Sequence, residues 1–144
     1  MKIKDLIPDE VLVGLLDGKV TVQSSETEIR TICVYGQSKQ PNKDVDDEFI
    51  NVLNNGVVHS ITKPLGLFAG NLALTVYCKS NSDGTAKTKR IRQIVSQCVE
   101  LVNEKSSQGF FFELDPANVI TPPTVNLTDG YATTVLNVAW HTTQ

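Results

Sequence analysis

From about Thr85 to Lys105 the chain carries one apolar stripe. Ile91, Ile94, Val95, Cys98, Leu101 and Val102 fall at i, i+3, i+4, i+7, i+10 and i+11. That period is 3.6, so the segment is predicted to be a helix with one face to bury. Something flat and apolar must lie beneath it. Residues 71–79, NLALTVYCK, supply it: Leu72, Leu74, Val76 and Cys78 alternate with Ala73, Thr75 and Tyr77. Residues 131–142, YATTVLNVAWHT, alternate as well. Thr134, Leu136, Val138 and Trp140 share one face, and Tyr131, Thr133, Val135, Asn137, Ala139 and His141 the other. Two such strands under a helix form an antiparallel sheet with one covered face.

The remaining segments attach to this centre. Pro8, Asp9 and Glu10 suit a first helical turn, Val11, Leu12, Leu15 and Leu16 follow at helical spacing, and Gly18 is a plausible stop. Lys19 to Gln23 alternates as the start of a strand, and Glu28 to Gly36 reads as a strand rich in β-branched and aromatic residues. Residues 36–46 are polar and aperiodic, an exposed loop. EFINVLNNG, residues 48–56, is a strand ending in a turn signal. Phe110, Phe111, Phe112 and Leu114 form a short buried strand.

Residues 57–70 are apolar but interrupted by Pro64, Gly66 and Gly70. Proline cannot donate to a central ladder, so the segment is predicted to be an extended arm or open hairpin. Its Ile61, Leu65, Leu67 and Phe68 favour a covering partner. The prediction is a single α+β domain over residues 1–144. An antiparallel sheet of about four strands is packed on one face by a long helix and a short N-terminal helix.

Composition narrows the function. With 144 residues, 40% hydrophobic and 20% charged, the chain matches one globular domain. A net charge of −3 argues against wrapping nucleic acid, although DNA can pass a pore that does not hold it. The N-terminal residues do not read as a signal peptide, and the apolar runs are too short to span a bilayer. Cys33, Cys78 and Cys98 are widely spaced in apolar runs and are expected to be buried free thiols.

No phosphate-binding loop, nucleophile elbow or calcium-loop pattern occurs, and no cofactor or metal is expected. His59 and His141 belong to no catalytic motif, and a Cys78–His141 pair is the main nucleophile arrangement to weigh. Asp44, Asp46 and Asp47 read as solvated loop carboxylates. Lys87, Lys89, Arg90 and Arg92 crowd the start of the long helix, against its macrodipole. They form a solvated face, or a contact to an acidic partner surface or to DNA at a distance.

The order of these signals resembles a family. A leading helix is followed by EFINVLNNG, the arm 57–70, NLALTVYCK, the turn SNSDG, and the long helix TAKTKRIRQIVSQCVELVNEK. The last strand is introduced by Gly130-Tyr131. Over residues 45–144 this layout is similar to the tail-terminator, tail-completion and head–tail joining proteins of bacteriophages. The resemblance implies a non-catalytic virion protein, made in the host cytoplasm, forming a sixfold or twelvefold ring around the DNA channel. Its partners are further copies and other neck, portal or tail proteins. Ile61, Leu65, Leu67 and Phe68 are then expected at subunit contacts, and Asp44, Asp46 and Asp47 at the channel or rim. Two other readings remain: a monomeric intracellular ligand-binding or adaptor module, and a small hydrolase using Cys78 or Cys33.

Overall fold

The computed structural model describes residues 5–23, 25–36, 47–54, 59–62, 67–114, 122–126 and 129–143, with backbone only for 59–62. The first helix, α1, spans Pro8–Leu16, with proline in its first turn and Asp9 and Glu10 at its positive end. A small hairpin follows, β1 (Thr21–Gln23) against β2 (Ile29–Thr31). Then come β3 (Cys33–Gly36), β4 (Glu48–Asn54), β5 (His59–Thr62) and β6 (Leu67–Lys79). The second helix, α2 (Thr88–Val102), leads to β7 (Lys105–Ser107), β8 (Phe110–Leu114), β9 (Thr124–Val125) and β10 (Tyr131–Thr142).

The main sheet runs β3-β4-β6-β10-β8-β7, with β5 added to β6 and β9 to β10. This corrects the expected fold class. The protein is mostly β, with a curled mixed sheet in place of a four-stranded antiparallel one. The mixed character comes from β3, which pairs parallel with β4, Cys33 opposite Phe49 and Gly36 opposite Val52. The apolar run 28–36 is divided: β2 belongs to the hairpin and β3 to the main sheet, with buried Ile32 between them. Strands of two to five residues are too short for a two-residue period to declare itself.

The long central strands pair as their patterns require. Cys78, Val76, Leu74 and Leu72 of β6 face Ala132, Thr134, Leu136 and Val138 of β10, and all eight are buried. On the other side of β6, Val76 and Leu74 face Ile50 and Val52 of β4. Onto this floor α2 lays Ile91, Ile94, Val95, Cys98 and Val102, and α1 adds Leu12 and Leu16. Full burial of an aliphatic side chain is worth about 1.5–3 kcal/mol, so the α2 stripe is a leading apolar term. α2 is shorter than expected and Leu101 is only half-buried.

Backbone geometry closes the far edge. Gln108 and Gly109 join β7 to β8, both with positive φ (48° and 86°). That two-residue turn matches the right-handed twist of a hairpin, and Gly109 adopts it without a Cβ penalty. Near that edge Trp140, which pairs with Phe112 of β8, lies over Gly70. A Cβ there would stand 2.8 Å from the indole, so glycine is what lets the ring pack flat on β6.

Candidate assembly surface

Within the predicted arm or open hairpin, the described residues 59–62 and 67–70 are strand. β6 starts at Leu67, four residues earlier than the predicted strand, and β5 pairs with it antiparallel, His59 opposite Ala69 and Ser60 opposite Phe68. The register shifts between Ser60 and Thr62, a bulge that bends the ribbon. Leu67 and Phe68 are half-buried, whereas 72–78 of the same strand is almost wholly buried. Phe68 packs on the core, and its N–H donates to the Thr142 hydroxyl at 2.9 Å. Ile61 lies in β5, where the backbone alone is described; Leu65 lies outside the described residues. Of the expected rim carboxylates, Asp44 and Asp46 are likewise outside them. Asp47 is exposed, and its carbonyl accepts from the Lys79 N–H at 2.7 Å.

The β1–β2 hairpin is fastened to the rest of the molecule by two polar devices. Gln97 of α2 acts like a strand neighbour: its Oε1 accepts from the Thr21 N–H at 2.9 Å and its Nε2 donates to the Thr21 carbonyl at 2.7 Å. Glu48, at the start of β4, is the second. Its side chain is 2% exposed, and Arg30 of β2 and Arg90 of α2 each donate to one carboxylate oxygen at 2.8 Å. One buried carboxylate therefore joins hairpin, sheet and helix. A lone buried charge is costly, and two guanidiniums at hydrogen-bond distance offset that cost. The composition hides this triad, because its members are far apart in sequence.

The clamp holds the hairpin so that Ile29 stands out in solvent, 70% exposed. Between hairpin and α2 runs a shallow groove bordered by Gln23, Lys89 and Gln93. Lys87 stands at the N-cap of α2 without a side-chain cap bond, and the first helical turn carries no acidic residue. In the loop before it, Asp83 accepts from the Thr85 hydroxyl and, to a lesser degree, the Thr85 N–H, which holds its carboxyl below the usual range.

The other face of the sheet carries an aromatic cluster. Phe49 stacks on Tyr77 with ring centroids 4.4 Å apart, and Tyr35 and Tyr131 meet Phe49 edge-on. Burial, then the charge of Asp129, pushes the Tyr77 phenol above its ordinary value. Val135 projects from the same face and is half-exposed.

The thiols do not meet a base. Cys78 is opposite Ala132, whereas His141 is opposite Ala69, nine residues away along β6 or about 30 Å. Burial, reinforced by Glu48, pushes the Cys78 thiol up to about 11, away from the thiolate a nucleophile needs. Burial alone pushes Cys98 to about 12. Cys33 is exposed, contrary to expectation, because β3 turns it away from the core. Among the described residues no group of three or more His, Cys, Asp or Glu is placed to hold a metal, and no helix is long and apolar enough to cross a membrane.

No family model matches this chain, and no curated protein is similar to it in sequence.

Proposed function

We propose that this protein is a structural component of a bacteriophage virion, of the tail-terminator, tail-completion or head–tail joining kind. It assembles into a ring at the neck or tail end, around the DNA channel, and catalyses nothing. The observation that carries the reading is the β5–β6 ribbon. There the central strand continues beyond its fully buried stretch, with Leu67 and Phe68 half-covered. A sheet end of this kind is suited to strand addition or apolar docking by a neighbour. The exposed Ile29 on a firmly fastened hairpin supports it, since a rigid apolar contact loses little entropy on binding.

The alternative, a monomeric adaptor module, draws on one observation: Phe68 also packs on the protein's own core. Negative-stain images of the purified protein separate the two. Annular particles with a central hole support the ring. Uniform particles of single-chain size refute it.

A further inference from the structure

Asp9 lies in the first turn of α1, is 4% exposed, and its Oδ2 has no hydrogen-bond partner among the described residues. It lines a surface cavity of about 260 Å³ together with Glu10, Val13 and Gly36. A buried carboxylate oxygen without a partner is costly, and the natural remedy is a cation delivered into the cavity. The N-terminus of α2 has the opposite defect. Lys87 and Lys89 add positive charge where the helix dipole is already positive, with no acid in the first turn to offset it.

The two sites cannot satisfy each other within one chain. Gly36, beside Asp9, pairs with Val52, whereas Arg90 of α2 binds Glu48 at the opposite end of β4. Four strand residues, about 13 Å, separate those points along the sheet. An acidic cavity at one end and a basic helix start at the other make a surface that is complementary to its own copy, head to tail.

We infer that the Asp9 cavity of one copy receives Lys89 or Lys87 from the α2 start of the next copy. The contact is heterologous, so repetition generates a closed ring or an open filament rather than a twofold dimer. This inference rests on the assembly reading and names the polar contact that sets its direction. The ammonium would gain the open carboxylate oxygen, and the carboxylate would gain its missing donor. A Cβ at Gly36 would stand 3.3 Å from the Val13 side chain, which lines the same cavity, so the glycine keeps that wall open.

The test places cysteines at two exposed positions, Glu10→Cys and Thr88→Cys, which leave Asp9, Lys87 and Lys89 in place, in a Cys33→Ser background, so that the remaining thiols are buried. Within a chain the cavity and the α2 start attach to β4 about 13 Å apart, beyond the roughly 7 Å between Cα atoms that a disulfide allows. Under mild oxidation the double variant should give a ladder of linked multimers, and each single variant only monomer. In parallel, Asp9→Asn and Lys89→Glu should each weaken self-association by more than about tenfold, as expected for a desolvated charge pair. At concentrations where the chain is monomeric, Asp9→Asn should not lower the melting temperature, because it removes an unpartnered buried charge. Wild-type assembly without a ladder, or dimers from either single variant, overturns this contact and leaves the assembly reading standing. A wild-type chain that stays monomeric at high concentration overturns both.

Discussion

Glu48→Gln tests the reasoning about the clamp. The substitution keeps the shape and removes the charge that both arginines share. Deleting one member of a buried ion pair costs about 3–5 kcal/mol when the survivor remains buried. Here the survivors can partly rehydrate, since the Arg30 and Arg90 side chains are 36% and 23% exposed. The loss is accordingly about 2–3 kcal/mol. For a chain of this size that lowers the melting temperature by roughly 6–12 °C. It lowers the urea midpoint by roughly 1–2 M with the slope unchanged. The protein has a single tryptophan, Trp140, buried beside Phe110, so its fluorescence reports unfolding directly. Hydrogen exchange should quicken first in β1 and β2, which lose their tie to the sheet. Replacing all three members with apolar residues, Arg30→Met, Glu48→Leu and Arg90→Met, should recover most of the loss, because no unpaired charge is then left. A Glu48→Gln midpoint equal to wild type would refute the reasoning and make the triad a surface ornament.

Gly70→Ala should destabilise the fold by about 1–3 kcal/mol by driving a methyl into Trp140, while Gly14→Ala, with open space at its Cβ in α1, should stabilise it by about 0.5–1 kcal/mol; urea titration of both reads the contrast. Thiol labelling of the native protein at neutral pH should modify Cys33 quickly and spare Cys78 and Cys98 until the chain unfolds, and fast labelling of Cys78 would revive a catalytic reading. The folded thiols hold their protons more tightly than the ordinary thiol value of 9.0. Their contribution to stability is therefore fully present below about pH 9 and is lost as pH rises through about 11 to 12. Alkaline unfolding that moves to higher pH in a Cys98→Ala variant of comparable stability would bear this out.

The long elements were legible because each carries enough periods to be unambiguous. The alternation in 131–142 put Leu136, Val138 and Trp140 on the buried face with Thr134, and β10 begins at Tyr131, directly after Gly130. The α2 stripe named the residues that reach the core, Leu101 being the partial exception. What escaped notice depends on contacts distant in sequence. The parallel pairing of β3 with β4 leaves no mark in either strand, since β3 has four residues. The split of 28–36 between two sheets at Ile32 follows from where the hairpin docks, and that is set by Gln97 and by the Arg30–Glu48–Arg90 triad. Pro64 and Gly66 lie outside the described residues, and Gly70, read as a break, belongs inside β6, where it makes room for Trp140. Asp9 read as a favourable first-turn acid; only its burial without a partner marks it as unfinished.

Native mass spectrometry of the wild-type chain, across a range of concentrations, measures copy number without assuming a shape. The proposed role requires a discrete multiple of the 15.8 kDa chain that persists on dilution into the low micromolar range. A single 15.8 kDa species at every concentration would contradict it.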